Sequence, residues 1–169
     1  KALTKIAENN DYTAQLITAV EKVNNAQKLV IAQKIIARFG EDLTGFTFGI
    51  WGLAFKPGTD DMREAPSINT IKELVKRGAK IKAYDPKAID QAKEHYLKGI
   101  ENITYVTSKY DVLKDSVALI LLTEWKEFRS PNFEEIKAQL KNSIIFDGRN
   151  QYIAYDLENK GFEYYRIGK

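Results

Sequence analysis

Two stretches hold the residues best suited to chemistry. The run 54–67, Ala-Phe-Lys-Pro-Gly-Thr-Asp-Asp-Met-Arg-Glu-Ala-Pro-Ser, is dense in charge and follows a strongly apolar segment. Lys56 offers a point charge and Arg63 a planar fork, both suited to phosphates; Asp60, Asp61 and Glu64 can orient those cations or bond sugar hydroxyls. The second stretch is Asp147-Gly148-Arg149-Asn150, which puts another arginine just after an apolar run. If both stretches leave strands of one parallel sheet, their cations share the edge where such sheets bind ligands, and an anionic ligand is expected. Two plainer readings compete: a solvated loop whose charges cancel, and an edge arginine engaged in a surface salt bridge.

Other chemistries are excluded or left open by residue type. Without cysteine there is no disulfide framework, zinc finger or thiol catalysis in these residues, which fits a reducing compartment. His95 is the only histidine, so His-rich metal sites are excluded, and its place after Pro86 reads as a solvated surface position. Asp60-Asp61 is a poor metal pair, because adjacent acids diverge in extended backbone and no histidine joins them. Gly49-Ile-Trp-Gly52 lacks the G-x-G-x-x-G spacing that lets a pyrophosphate reach a helix N-terminus, and no Walker phosphate loop is present. Asp85 ends an apolar run where a dinucleotide fold places a ribose-binding acid, yet Pro86 follows, so a turn-capping role competes. Trp125, in Thr123-Glu124-Trp125, can stack on a base or pack on the core, and packing is the favoured reading. A receiver-domain reading fails because Val106-Thr107-Ser108 offers no aspartate.

These residues need a scaffold, and the apolar pattern supplies one. No Gly or Pro interrupts 14–39, where Leu16, Val20, Val23, Val30, Ile31, Ile35 and Ile36 recur at helical spacing. One helix of about 39 Å at ~1.5 Å per residue is expected there, long enough to bridge domains or subunits. A shorter helix over 3–8 precedes it, with a turn at Asn9, Asn10 and Asp11. After Gly45 the period changes, and strands are expected at 46–53, 81–84, 103–106, 117–122, 144–146 and 164–167. The crossover helix carrying Ile68, Ile71, Leu74 and Val75 opens on Pro66 and ends before Gly78. The expected architecture is α/β: a doubly wound, mainly parallel, six-stranded Rossmann-like sheet preceded by a long helix. The domain division is 1–44, helical, and 45–169, sheet.

Composition agrees. The chain has 169 residues, 44% hydrophobic and 29% charged, which is globular rather than disordered. A net charge of +3, spread evenly, gives no reason to expect nucleic-acid binding. The longest apolar run, 117–122, is far short of the roughly 20 residues that span a bilayer. No signal peptide is recognisable, and a soluble cytoplasmic protein is expected.

The run Gly52-Leu-Ala-Phe-Lys-Pro-Gly-Thr-Asp-Asp-Met-Arg-Glu-Ala-Pro-Ser67 resembles the signature of the UDP-glucose/GDP-mannose dehydrogenase family. Ala2-Leu3 and the helix containing Asn24 resemble the family's central part. Ile81 to Asp85-Pro86, Leu122-Thr123-Glu124-Trp125 and Phe146-Asp147-Gly148-Arg149 resemble its C-terminal domain. Within the family, Asp-Asp-Met-Arg-Glu-Ala-Pro-Ser is most like members acting on UDP-glucose, whereas those acting on GDP-mannose or UDP-N-acetylmannosamine usually differ here.

The resemblance implies a two-step, NAD-dependent oxidation of the sugar C6 alcohol through a cysteine-bound thiohemiacetal and thioester, giving UDP-glucuronate for polysaccharide synthesis. It further implies that Phe55, Lys56 and Arg149 touch the UDP-sugar and that Arg63 reaches NAD across a domain interface. The family's nucleophilic cysteine and its Gly-rich NAD domain precede the position matching Ala2-Leu3, and Lys1 is not an initiator Met. A C-terminal fragment is therefore expected, without catalytic residues of its own, inactive alone and dimeric through the long helix. The rival expectations are a stand-alone nucleotide-binding or assembly module and a related nucleotide-sugar dehydrogenase.

Overall fold

A computed structural model describes residues 6, 7, 9, 10 and 12–169. The short helix expected over 3–8 lies largely outside the described residues; beside it, Asn10 Nδ2 donates to Ile6 O at 2.8 Å in the expected turn.

The stretch expected as one helix is a long helix bent into two segments. Helix α1 spans Gln15–Gln27 and α2 spans Val30–Phe39, with a turn at Lys28 and Leu29. Neither Gly nor Pro causes the break; what changes is the packing. Helix α1 buries no residue, whereas α2 buries Ile31, Ala32 and Ile35 against the sheet. The chain bends where its inner face meets the core, and at the bend Lys28 turns its amine to Glu64 in an ion pair. Gly40, with φ +95°, then ends α2.

All six expected strands are present: β1 (Thr47–Trp51), β2 (Lys80–Tyr84), β3 (Ile103–Tyr105), β4 (Ala118–Leu121), β5 (Ile144–Asp147) and β6 (Glu163–Arg166). They form one sheet, every pair parallel, in the order β3-β2-β1-β4-β5-β6. Central strands β4 and β5 are buried throughout, which is why they read as unbroken apolar runs. The order reverses between β1 and β4, the position at which sheets of this type open a crevice at their carboxyl edge.

Side-chain alternation on β1 sorts the two faces. Phe48 points toward α2, where Phe39 meets it edge-on at 5.3 Å and lies 6.4 Å from Phe146. Trp51 points the other way, stacked on Phe128 at 5.1 Å and edge-on to Tyr110 at 5.9 Å. Helix α3 (Pro66–Lys76) starts on its proline and buries Ser67, Thr70, Ile71 and Leu74. After β2 the chain makes a single short turn, α4 (Ile89–Gln91), running into a π-helical turn at Ala92–Tyr96 that carries His95 on the surface. Helix α5 (Phe133–Gln139) is capped by Asn132, whose side chain accepts from Glu135 N at 3.2 Å.

Candidate functional site: the carboxyl edge of the sheet

The site begins with a close approach. Gly52 leaves β1 with φ +92°, and a Cβ there would lie 2.5 Å from Thr123 Cβ, so the ends of β1 and β4 meet only because residue 52 has no side chain. Two buried hydroxyls fasten the loop that follows: Ser67 Oγ donates to Leu53 O and Thr123 Oγ1 to Ala54 O, each at 2.5 Å. Asp85 holds the same turn from β2. Its Oδ2 accepts from Leu53 N (2.7 Å), Ala54 N (3.0 Å) and the Trp125 indole (3.0 Å), while Oδ1 accepts from Lys87 N and Ala88 N at 2.9 Å. A carboxylate this buried is tolerable because donors surround it, and leaving even one such donor unpaired costs about 1–3 kcal/mol. Asp85 is thus a capping residue, and Trp125 is a core residue that bonds to it.

The loop between Gly52 and Pro66 is long but anchored midway. Met62 and Ala65 are fully buried, and Phe55 N donates to Asp61 O at 2.9 Å, folding the loop back on itself. What remains outside is what the sequence marks as reactive: Phe55 is 47% exposed, Lys56 is exposed, and the Arg63 side chain is 79% exposed. Arg63 is tethered to Asp61, donating from Nε to Oδ1 at 3.0 Å and from Nη2 to Oδ2 at 2.7 Å. Those bonds hold the Asp61 carboxyl well below its ordinary range, at about 2. Glu64 takes φ +60° in the left-handed region as it turns toward Lys28.

Arg149 joins the loops after β1, β4 and β5. Buried Asp147 accepts from Arg149 N at 2.9 Å and, through Oδ2, from Tyr152 N and the Tyr164 hydroxyl at 2.8 Å, which fixes the turn that carries the arginine. Burial and the neighbouring Asp147 charge both push the Tyr164 and Tyr152 hydroxyls above the ordinary tyrosine range, so they stay protonated. The side edge of the guanidinium is used within the protein, Nε donating to Leu122 O and Nη2 to Phe55 O, both at 2.8 Å. The end of the fork, Nη1 with the second Nη2 hydrogen, has no acceptor among the described residues. Two parallel N–H groups of this kind match the geometry of a phosphate or carboxylate, which can accept from both at once.

Beside this edge runs a groove of about 490 Å³ between α1 and the loop, walled by Asn24, Lys28, Phe55, Glu64 and Pro66. At Gln27, Lys28 and Pro66 it adjoins a smaller recess of about 140 Å³ whose lining includes Thr70, Leu122 and Arg149. The structure therefore brings Phe55 and Arg149 to one continuous surface. Lys56 and Arg63 lie on the same loop but outside the groove lining. The roles of Ser67 and Thr123 as loop fasteners have no signature in residue type alone, whereas capping by Asp85 is one of the two readings its place before Pro86 offers; the Lys28–Glu64 contact depends on the helix break.

A dinucleotide does not fit this sheet in the usual way. The ribose-binding acid position is Asp85, its oxygens already engaged, with Trp125 packed against it. Among the described residues no group of three His, Cys, Asp or Glu is arranged to hold a metal, and no helix is long and apolar enough to cross a membrane.

Comparison with known proteins gives the family. Residues 49–154 match the family described as UDP-glucose/GDP-mannose dehydrogenase family, UDP binding domain. A UDP-glucose 6-dehydrogenase of Pseudomonas aeruginosa is 37% identical over 171 residues, covering 100% of this chain and 38% of that relative. A UDP-glucose 6-dehydrogenase of Bacillus subtilis, YwqF, is 38% identical over 99% of this chain and 37% of its own length. Among solved structures, a UDP-glucose dehydrogenase from Pyrobaculum islandicum superposes with a TM-score of 0.78 at 27% identity, covering 99% of this chain and 35% of that one. The chain thus spans little more than a third of the length of these relatives. With the signature loop, the sheet order and the family match in agreement, the chain belongs to the UDP-glucose/GDP-mannose dehydrogenase family and carries its UDP-binding domain.

Proposed function

We propose that this chain is the UDP-sugar-binding part of a UDP-glucose 6-dehydrogenase, which oxidises the C6 alcohol of UDP-glucose to the carboxylate of UDP-glucuronate with two NAD. The observation that carries this reading is the Arg149 clamp, whose side edge is bound to Leu122 O and Phe55 O while its end fork is left for an anion. Phe55 packs against the substrate, and Lys56 and Arg149 bond its charged diphosphate. Residues 45–169 form the binding domain. Residues 1–44 form a linking and dimerising region, with α2 as the joint between the two because its inner face belongs to the core.

NAD supplies the hydride acceptor when bound. This sheet is not shaped for it, and the chain's contribution is Arg63, exposed and, among the described residues, tethered to Asp61 of its own loop, suited to reach a pyrophosphate held by another domain. The covalent steps need a cysteine, and this sequence has none. The chain alone binds substrate without turning it over, and its cysteine-free composition suits the reducing cytoplasm. Exposed Leu16, Val20 and Val23 on α1 support contact with a second copy.

The test is calorimetric titration with UDP-glucose, UDP, GDP-mannose and ADP, alongside an assay for UDP-glucose-dependent NADH formation. Selective binding of uridine ligands, weakened by Arg149→Ala and Lys56→Ala, with no NADH formed, is the expected result. Turnover by the pure chain would refute the division of labour.

A further inference from the structure

The clamp around Arg149 contains a charge that the binding reading leaves unused. Glu124 Oε2 lies 2.9 Å from Arg149 Nε, but the Nε–H is donated to Leu122 O at 2.8 Å, and Glu124 Oε2 is buried with no hydrogen-bond donor among the described residues. Two backbone carbonyls already set the plane of the guanidinium. Glu124 therefore adds little to its orientation and a full unit to its charge environment. A phosphate seated on the end fork would lie roughly 5–8 Å from the Glu124 carboxylate, given ordinary hydrogen-bond lengths and the size of a guanidinium. That is within the ~10 Å over which salt at 0.1 M leaves charges in contact.

We propose that Glu124 is a specificity-determining residue, its charge favouring a nucleoside diphosphate esterified to a sugar over the free nucleoside diphosphate. The proposal rests on the UDP-sugar reading above and deepens it. A sugar diphosphate carries one negative charge on each phosphate at neutral pH. A terminal phosphate loses a second proton near pH 6, so free UDP carries about one charge more. Arg149 attracts both ligands and Glu124 repels both, but the repulsion grows with the ligand's charge. Because Glu124 already offsets much of the charge of Arg149, the extra charge of free UDP meets no matching gain. A site tuned this way holds the sugar ester without retaining the bare nucleotide.

The experiment is titration of this chain and of Glu124→Gln with UDP-glucose and with UDP at pH 7.5 and at pH 5, with melting temperatures measured for both proteins. Glutamine keeps the shape and removes the charge. Affinity for UDP is expected to rise about 3- to 10-fold more than affinity for UDP-glucose, from one unit of charge at this separation in a partly solvated site. The difference should shrink at pH 5, where the terminal phosphate keeps its proton. Glu124→Ala should shift the ratio in the same direction and Glu124→Asp should leave it near the wild-type value, so the result does not hang on one variant. An unchanged ratio in Glu124→Gln and Glu124→Ala, with binding still sensitive to Arg149→Ala, would overturn the role of Glu124 alone. Failure of the unaltered chain to bind either ligand would overturn both this role and the reading beneath it.

Discussion

The Trp125 indole N–H and the Asp85 carboxylate meet at 3.0 Å across the carboxyl edge of the sheet, joining the loop after β4 to the loop after β2. Because Asp85 also binds the first two residues beyond Gly52, this single carboxylate sets the floor on which the candidate site rests. It also fills the place where a dinucleotide's ribose would need an acceptor.

Asp85→Ala should therefore destabilise the chain strongly, by about 2–4 kcal/mol, since several buried donors lose their acceptor at once. Urea denaturation followed by Trp fluorescence measures it. A loss under about 0.5 kcal/mol would mean that water replaces the carboxylate and that Asp85 is available to a ligand.

Two glycines with the same backbone sign should respond differently to alanine. Gly52 has φ +92° and would place a Cβ 2.5 Å from Thr123, whereas Gly58 has φ +89° and open space around it. Gly58→Ala should cost about 1 kcal/mol, the strain of a left-handed residue alone. Gly52→Ala should cost clearly more, because the ends of β1 and β4 must also separate. Equal melting temperatures for the two variants would contradict the close approach.

The Asp61 carboxyl should titrate near pH 2, shifted down from 3.8 chiefly by the Arg63 side chain and then by its backbone N–H. A depressed folded value means that the pair's contribution is complete above the unfolded carboxylate value of about 3.9 and is lost as pH falls through about 2. Both groups are bathed in solvent, so the effect on stability is small and the effect on Arg63 position is the one to read. Carboxyl-carbon NMR on this chain and on Arg63→Ala should show the midpoint moving up toward 4 in the variant. A wild-type midpoint already near 4 would show that Arg63 swings free.

The exposed stripe on α1 should be visible in solution. If Leu16, Val20 and Val23 meet a second copy, sedimentation should show a concentration-dependent dimer that Val20→Lys with Val23→Lys converts to monomer. A monomer at every concentration would remove the helix from the dimer interface.

Much of the architecture was legible because strands of a parallel sheet are buried on both faces and interrupted by turn residues. Runs such as Val117-Ala-Leu-Ile-Leu-Leu122 and Ile144-Ile-Phe146 carry that signal directly, and Pro66 and Gly78 bracket α3. The bend in the helical lead-in was not legible. Its apolar residues keep helical spacing from Leu16 to Ile36, and only the position of the sheet decides that Ile31 and Ile35 are buried while Leu16 and Val23 are not. At the site, residue type marked Lys56, Arg63 and Arg149 as cations on one edge. How Arg149 divides its donors between protein carbonyls and an open fork depends on three loops meeting, a tertiary fact with no local trace. Asp85 stood between ribose binding and capping for the same reason, and its donors decide for capping.

The most direct test of the central claim is calorimetric titration of this chain with UDP-glucose, repeated on Arg149→Ala. Saturable binding that weakens at least about 10-fold in the variant, as expected when a bidentate charged contact to phosphate is lost, is the outcome the Arg149 clamp requires. Equal affinity in the two proteins would place the nucleotide sugar elsewhere and contradict the assignment of the carboxyl edge as its site.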